Sequence, residues 1–143
     1  MTKANFENLR IYQLSEKLAD QVWNAVTRWD SLAKDTVGKQ LVRAADSIGA
    51  NIAEGSGRGS SQDYRRFLRM SRGSLFETLH WLRRAYLRKL LTSAQTKELR
   101  VIVNELSPTL NAYLRSVSAS ATRAVASPTP AVSKRAKDQK PKT

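Results

Sequence analysis

Apolar residues return every three or four positions along most of the chain, the spacing of one face of an α-helix. The pattern forms four stripes, whose members are Ile11, Leu18, Val22, Ala25 and Trp29; Leu41, Ala45, Ile48 and Ile52; Tyr64, Leu68, Ser71, Leu75, Leu79, Leu82 and Tyr86; and Leu99, Ile102, Leu106, Leu110, Tyr113 and Val117. No stretch alternates apolar and polar residues as a half-buried strand would. The sequence therefore predicts four amphipathic helices and an all-α fold.

The segments between these stripes are short, so consecutive helices are expected to be antiparallel neighbours in an up-down-up-down four-helix bundle. Ser60 with Asp63 forms a loose capping box for the third helix. Thr92 with Gln95 forms a proper one for the fourth. Pro108 falls inside the fourth stripe, where its missing N–H predicts either a kink or a restart of the helix.

The segment GSGRGSS, residues 55–61, separates the second and third helices. Its glycines are expected to end the second helix by adopting positive φ. A glycine-rich loop before a helix can also cradle a phosphate. However, no strand precedes this loop and no Gly-Lys-Ser/Thr follows it, as a nucleotide-binding loop would require. The prediction is an interhelical turn, from which Arg58 can touch a phosphate.

Composition changes after Ser118, and the remaining residues contain no aromatic residue, leucine or isoleucine. Such a segment cannot bury enough apolar surface to become ordered. We therefore predict a four-helix domain over residues 1–118 and a disordered basic tail over residues 119–143. The tail carries six basic and one acidic residue, so the domain keeps +8 of the total net charge of +13.

This charge arises from 25 Lys and Arg against 12 Asp and Glu, and it favours polyanions such as nucleic acid or an anionic membrane surface. Cysteine is absent, which excludes disulfides and thiolate metal sites and suits a reducing cytoplasm. No run of about 18 apolar residues occurs, and the N-terminal segment has no apolar core. We expect a cytoplasmic protein with no membrane partner.

The predicted third helix carries the densest basic cluster. One helical stripe contains Arg65, Arg69, Arg72 and Arg83, and beside it lie Arg66, Arg84, Arg88 and Lys89. Like charges one turn apart repel by a few tenths of a kcal/mol, and the helix offers only Asp63 and Glu77 to neutralise them. Two interpretations stay open. The stripe either binds RNA or DNA phosphates, with Arg58 adding a contact, or forms a solvated face partly used for salt bridges between protomers.

Polar residues lie beside the apolar stripes of the second and third helices. Ser47, Asn51 and Glu54 follow one another at helical spacing on the second helix, and Ser74 and Glu77 do so on the third. Polar groups at such positions need hydrogen-bond partners, because leaving one unpaired costs roughly 1–3 kcal/mol. We predict an interhelical hydrogen-bond network that sets the register of these two helices. No nucleophile–base pair is apparent, so no enzymatic activity is predicted.

Glu77 and His80 have the Glu-x-x-His spacing of carboxylate-bridged di-iron bundles. Such a site needs two of these motifs and two further Glu, whereas this chain has one His. Only a symmetric oligomer could complete it. We therefore predict no metal and no cofactor, and we place His80 at the surface or at a subunit interface.

The aromatic content points to self-association. Three Trp and four Tyr exceed what one narrow four-helix core readily hides. Tyr12, Trp23, Trp29 and Trp81 cannot all face the same seam. We therefore expect a homo-oligomer.

Three segments resemble a known family: FENLRIYQLSEKLADQVW, QLVRAADSIGANIAEGSGR and YRRFLRMSRGSLFETLHWL. They are similar to the four-helix-bundle proteins encoded in intervening sequences of bacterial 23S ribosomal RNA. The resemblance covers about residues 5–117, and Ser47–Gly55 is its most specific part. The accessory variability determinant proteins of diversity-generating retroelements use the same fold and are also strongly basic.

The resemblance implies an antiparallel four-helix protomer assembled into a homopentameric barrel, with no known enzymatic activity. For the retroelement branch it also implies a reverse transcriptase and its template RNA as partners. Asn51, Glu54, Gly55, Ser74 and Glu77 match the family pattern and are interpreted as structural. The sequence thus predicts a non-enzymatic, basic oligomer that binds RNA or DNA, with a reverse transcriptase accessory subunit as its specific form. The alternative is an oligomeric scaffold that binds only protein.

Overall fold

The computed structural model describes the backbone of residues 4–126 and the side chains of residues 4–120. A short 3₁₀ turn, Asn5–Asn8, leads into four helices. These are α1 (Arg10–Val26), α2 (a continuous run of Ser31–Ala33, Lys34–Gly38 and Lys39–Ser56), α3 (Ser61–Leu87) and α4 (Ser93–Ala126). Residues 4–126 contain no strand. The predicted all-α fold with four helices is confirmed.

Side-chain caps begin α3 and α4 where the sequence places them. The Ser60 Oγ accepts a hydrogen bond from the Asp63 N–H at 3.1 Å. At the start of α4, the Thr92 Oγ1 accepts from the Gln95 N–H at 3.1 Å, and the Gln95 Oε1 accepts from the Thr92 N–H at 2.9 Å. These bonds satisfy N–H groups that have no partner within the helix, so both helix starts are sharply defined.

The first part of α2 begins before its apolar stripe. The Asp30 Oδ1 accepts from the Ala33 N–H at 3.0 Å and caps the helix. The next turn, Lys34–Gly38, is a wider π-helical turn. Gly38 in this turn is buried, and a Cβ there would lie 2.7 Å from the Val26 Cγ1. The missing side chain is what allows α1 and α2 to meet at this end of the bundle.

The glycines after α2 do not act by positive φ as predicted. Gly57, which follows the last residue of α2, has φ −84°, and no glycine within residues 4–126 has positive φ. Gly55 lies inside the helix and is buried. Its role is therefore to permit close packing, and the turn at residues 57–59 forms with ordinary backbone angles.

The last helix is longer than the sequence predicts. α4 continues through Pro108 without a break, so the helix does not restart there. It also continues to Ala126, past the boundary predicted at residue 118. Alanine, the strongest helix former, occupies positions 119, 121, 124 and 126. The first eight residues of the predicted disordered tail are thus helical, and residues 127–143 lie outside the described residues.

The helices enclose one hydrophobic core. α1 packs against α2 and α4, and α3 also packs against α2 and α4. At its centre, seven leucine and isoleucine side chains are 0% exposed, namely Leu18, Leu41, Ile48, Ile52, Leu68, Leu106 and Leu110. All of them except Leu18 and Leu68 come from α2 and α4, and every one lies on a predicted stripe. Tyr86 is the exception among the stripe residues, because it is 56% exposed.

The predicted crowding of aromatic rings is mostly resolved within one chain. Tyr12, Trp29 and Trp81 are partly buried and pack against the core. Trp23 is 57% exposed. Of these four rings, Trp23 therefore has the largest exposed fraction.

The most extensive contact between helices in the described part of the chain joins α2 and α3. A Cβ added at Gly55 would lie 2.7 Å from the Phe67 Cβ and 3.1 Å from the Tyr64 Cδ1. Further along, the buried Ser71 Oγ donates to the Ile48 carbonyl oxygen at 2.8 Å. A hydrogen bond from a side chain on one helix to a backbone carbonyl of the next requires short separation. Small residues at these two points therefore set the distance and the register of α2 and α3.

Two polar contacts attach α4 to its neighbours. The Tyr64 and Tyr113 hydroxyl oxygens lie 2.8 Å apart and share a hydrogen bond between α3 and α4. Burial, followed by this hydrogen bond, raises the pKa of Tyr64 above its usual value. On the other side, the Arg10 Nε and Nη2 donate to the two Glu105 carboxylate oxygens at 2.7 and 2.8 Å. The hydrogen bond from Arg10 lowers the pKa of Glu105.

The α2–α3 contact predicts that Gly55→Ala destabilises the fold. The added Cβ would overlap the Phe67 Cβ, which is held by the helix backbone, and overpacking of this kind costs about 1–3 kcal/mol. Gly73→Ala is the matched control, because a Cβ at this helical glycine meets nothing within 4 Å. It should stabilise α3 by up to about 1 kcal/mol through helix propensity. Thermal melts followed by circular dichroism measure both, and equal Tm shifts would contradict the packing role of Gly55.

Candidate nucleic-acid interface

Positive charge is concentrated on α3 and α4. Residues 1–58 carry eight basic and seven acidic side chains, whereas residues 59–126 carry twelve basic and four acidic side chains. No described helix is both long and apolar enough to cross a bilayer. The charge of the described chain therefore belongs almost entirely to one half of the bundle.

An open groove of about 460 Å³ lies between α3 and α4. Arg69 and Arg72 line it from α3, and Arg115 lines it from α4 together with Asn111. The sequence analysis predicted the two α3 arginines but not Arg115. The structure therefore adds a cation from a second helix to the predicted stripe.

A second groove of about 330 Å³ lies further along the same two helices. Its lining is more apolar, with Leu82 and Leu99 at its base. Arg83 of α3 and Arg100 of α4 border it. We call the arginines of this side the basic face: Arg65, Arg69, Arg72 and Arg83 on α3, with Arg100 and Arg115 on α4.

The basic face has no acidic partner in the described part of the chain. The ion pairs found there join Arg10 to Glu105, Arg58 to Glu54, and Arg66 to Asp63. None of them includes a residue of the basic face. No acidic side chain in this part of the chain therefore neutralises these guanidinium groups, and the exposed ones can bind an external anion.

Arg65, like Arg72, is only partly exposed. Its Nε is buried and has no hydrogen-bond partner within the described residues. A buried donor without a partner costs roughly 1–3 kcal/mol. The protomer therefore buries the Arg65 Nε without giving it a hydrogen-bond partner among the described residues.

The remaining predicted cations lie away from the grooves. Arg58 donates to the Glu54 Oε1 at 2.9 Å, and its guanidinium carbon lies 5.1 Å from the Phe67 ring centre. The Arg66 guanidinium lies 4.7 Å from the same ring and 3.5 Å from the Asp63 carboxylate. These two arginines thus surround Phe67, and internal partners already use part of their binding capacity.

The cations at the end of α3 sit where the helix terminates. Arg84 is in the last turn, and Arg88 caps the helix. Lys89 has φ 60°, a left-handed conformation that satisfies a helix end and that glycine adopts more readily. The Leu90 N–H then donates to the Ala85 carbonyl at 2.9 Å. These basic side chains therefore interact favourably with the negative end of the helix dipole, independently of any ligand.

The predicted interhelical polar network is replaced by bonds within each helix. The Ser47 Oγ donates to the Arg43 carbonyl at 2.8 Å, and the Asn51 Nδ2 donates to the Ser47 carbonyl at 2.9 Å. Glu54 pairs with Arg58 one turn later, within the same segment. Short polar side chains reach the carbonyl four residues back more easily than a neighbouring helix. The correction is that Ser71 and Ile48, rather than these residues, join the two helices.

The same holds for the predicted polar residues of α3. The Ser74 carbonyl accepts from the Thr78 Oγ1 at 2.7 Å. The Glu77 Oε1 accepts from the Trp81 Nε1 at 3.4 Å, and Trp81 also contacts the His80 ring edge-to-face at 4.7 Å. Residues 4–126 contain no group of three His, Asp or Glu side chains that could hold a metal ion. Glu77 and His80 thus both contact Trp81 on their own helix, the first by a hydrogen bond and the second by ring packing.

One groove on the side of the bundle opposite the basic face is lined by acidic residues. A groove of about 220 Å³ between α1 and α2 is lined by Glu16, Asp20 and Asp46. Partial burial, and then the charge of Asp20, raise the pKa of Asp46. Because α1–α2 and α3–α4 are opposite pairs in the packing order, this acidic groove and the basic face lie on opposite sides of the protomer.

Arg100 and Arg115 are the residues of the basic face that the sequence analysis missed. Each directly follows a buried leucine of α4, Leu99 or Leu114. A helical residue one position after a core residue lies at the edge of the apolar stripe, next to a neighbouring helix. That signal was present, but it identifies a shared groove only once the neighbour is known to be α3.

Comparison with known proteins agrees with the predicted resemblance. The family model described as 23S rRNA-intervening sequence protein matches residues 7–112. A crystal structure of a protein of unknown function from the S23 ribosomal protein family of Bacteroides thetaiotaomicron is similar in fold, with a TM-score of 0.66 and 23% identity. The match covers 73% of this chain and 97% of that chain. No curated protein sequence matches the chain. The resemblance to the intervening-sequence proteins is thereby confirmed.

The raised pKa of Asp46 predicts that Asp46→Asn stabilises the protein at neutral pH. A carboxyl whose pKa is higher in the folded state disfavours folding once it ionises, so the penalty is present above the folded pKa and absent below the unfolded value of about 3.9. The Tm gain should therefore fade as the pH is lowered to about 3. Glu98→Gln, which removes an exposed charge from α4, controls for net charge. A gain that is the same at both pH values would contradict the assignment.

Proposed function

The chain belongs to the 23S rRNA-intervening sequence protein family, and we propose that it is a non-enzymatic protein that binds RNA or DNA through the basic face. The observation that carries this proposal is the groove in which Arg69 and Arg72 of α3 meet Arg115 of α4. Three guanidinium groups from two helices converge there without an acidic partner among the described residues. Phosphate is the ligand that such a fork of donors fits best.

The fold favours phosphate contacts over reading of base edges. Proteins that read duplex DNA place a projecting helix or ribbon in the major groove. Here α3 and α4 are both packed into the bundle, and their arginines lie in shallow grooves between them. Binding is therefore expected to depend on the polyanionic backbone and to be similar for different sequences.

The oligomeric state is the second part of the proposal. The contacts of Gly55 with Phe67 and of Ile48 with Ser71 follow opposite residue order on α2 and α3, which supports an antiparallel up-down-up-down protomer. From the resemblance we propose a homopentameric barrel. Trp23 supports self-association, because it is 57% exposed and lines an apolar pocket of about 340 Å³ with Val26 and Val42.

The cellular role is proposed from the resemblance to accessory variability determinant proteins. In this role the protein would act in the cytoplasm and bring template RNA to a reverse transcriptase. The basic face supports it, because an accessory subunit of this kind must hold a polyanion without reading its sequence. The alternative is a scaffold that binds only protein, which is favoured by the exposed Trp23 and by the acidic groove between α1 and α2. A scaffold would show no salt-sensitive binding of nucleic acid.

Binding to RNA or DNA should weaken steeply with salt. For about 6–10 phosphate contacts, affinity should fall by on the order of 10³ to 10⁵ between 50 and 200 mM salt, because each contact releases counterions. Substituting Arg69, Arg72 and Arg115 together by Gln should weaken binding to all sequences alike. It should also flatten the salt slope by roughly one unit for each lost contact. Fluorescence anisotropy with labelled RNA and DNA measures both effects.

The control is a triple variant with the same change in net charge. Lys17, Arg28 and Lys97 are exposed and lie outside the basic face, so their substitution by Gln should leave the salt slope nearly unchanged. Circular dichroism should show that both triple variants remain helical, since Gln is a comparable helix former. Equal loss of affinity in the two variants would mean that net charge, rather than the basic face, determines binding.

Light scattering tests the proposed assembly. The chain has a mass of 16.0 kDa, and the particle should be about five times heavier. Trp23→Ser should shift the protein towards smaller species, because subunit contacts of buried aromatic rings often contribute 2 kcal/mol or more. Val101→Ala removes another exposed apolar side chain, on α4, and should leave the mass unchanged. A monomer mass at both low and moderate salt would refute self-association.

A further inference from the structure

Phe76 is an aromatic side chain that the fold leaves in water. It is 57% exposed, and it is not among the side chains that pack against the core. By contrast, Phe67 on the same helix is 5% exposed and contacts two guanidinium groups. Burying a Phe side chain is favourable by roughly 1.5–3 kcal/mol. The stability of the protomer therefore does not explain the presence of Phe at this position.

The position of Phe76 is within the basic stripe of α3. It follows Arg72 by four residues and Arg69 by seven, and it precedes Arg83 by seven. Residues at these spacings lie on one helix face. The exposed ring thus stands between the cations of the first groove and the cation that borders the second.

No described side chain covers the helix surface at Gly73, next to the Phe76 ring. Gly73 lies three residues before Phe76 and four after Arg69, and a Cβ there would meet nothing within 4 Å. The helix backbone is therefore open to an approaching ligand at this point. A second exposed ring, Tyr86, borders the second groove beside Arg83 and is 56% exposed. Phe76 and Tyr86 are ten residues apart, or about 15 Å along the helix.

We infer that the basic face takes single-stranded nucleic acid, with Phe76 as a platform on which an unpaired base stacks. This inference rests on the proposed function and specifies the partner of the same site. Cations that track a backbone, interleaved with exposed aromatic rings, are the features that bind single strands without reading their sequence. The bases of a duplex are stacked on one another and cannot reach a ring on a helix packed into a bundle. Tyr86 extends the same path towards the second groove.

The charge around the ring argues against a protein partner of ordinary composition. Arg69, Arg72 and Arg83 share the helix face of Phe76, and none of them has an acidic partner within the described residues. An apolar protein surface would have to strip water from these cations without replacing it. A single strand satisfies both features, because its phosphates pair with the guanidinium groups while its bases cover the ring.

Anisotropy titrations of the full-length protein test the inference. The probes are a labelled oligouridylate, an oligothymidylate of the same length, and a hairpin duplex with the same number of phosphates. Phe76→Ala should weaken binding of the single strands by about 5-fold or more, the effect of losing one stacked base. Hairpin binding should change by less than about 2-fold, because phosphate contacts are unaffected. The oligouridylate and oligothymidylate arms show whether the 2′-hydroxyl matters.

Two variants separate stacking from other effects. Phe76→Trp keeps a flat ring and should retain or strengthen single-strand binding, whereas Phe76→Leu keeps an apolar side chain and should bind as weakly as Phe76→Ala. Val101→Ala removes an exposed apolar residue outside both grooves and should bind as the parent does. Light scattering on each variant reports whether the assembly is intact.

Each outcome bears on one of the two ideas. If the parent binds single strands and the hairpin with a steep salt dependence, but Phe76→Ala binds both as tightly, the proposed function stands and the stacking role is overturned. If Phe76→Ala weakens both probes equally, or lowers the particle mass, the ring serves the fold or a subunit contact instead. If the parent binds none of the three probes, the proposed function itself fails.

Discussion

The close contact between α2 and α3 is the constraint on which the rest of the structure depends. Gly55 lies directly against Phe67, and the Ser71 hydroxyl bonds to the Ile48 carbonyl. Once α3 is held to α2 along this line, its apolar stripe must face the core. Its arginine stripe must then face outward on the side where α4 packs. The rotation of α3, and hence the location of the basic face, follows from small residues at two contact points.

The net positive charge of the bundle lies mainly on α3 and α4. The α1–α2 side carries an acidic groove lined by Asp20 and Asp46, and the α3–α4 side carries unpaired arginines. Partial burial raises the pKa of Asp46, so the ionised form of this carboxyl in the acidic groove disfavours folding. Segregation of this kind does not stabilise a protomer, because it places like charges together. It gives the molecule an electric dipole moment, which orients the protein as it approaches charged partners.

The polar residues of the family-like segment act locally. The Ser47 and Asn51 side chains donate to carbonyls one turn back in α2. Ile48 and Ile52, which directly follow them in the chain, are buried in the core. The repeat of Ser-Ile and Asn-Ile thus places each polar side chain at the edge of the helix and each isoleucine inside. The glycine at position 55 completes the motif by letting α3 approach. In the folded protein this motif therefore serves helix packing.

The sequence by itself determined the number of helices, their apolar stripes and two of their starts. These are local properties: Leu41, Ile48 and Ile52 repeat at helical spacing, and the caps at Ser60 and Thr92 involve residues three apart. It also located the arginines of α3, because a stripe can be read from spacing alone. The prediction failed where a local rule allowed two outcomes, as for the glycines after α2 and the extension of α4 beyond residue 118.

Only the tertiary structure decided which residues share a surface. Arg115 lies more than forty positions from Arg72 in the chain, and the two meet because α4 packs beside α3. The exposure of Tyr86 was likewise invisible in the pattern, since an aromatic residue at an apolar-stripe position ordinarily turns inward. Spacing along one helix defines a face, but the neighbour that covers or extends this face is set by packing between distant segments. For that reason the stripe was predictable and the grooves were not.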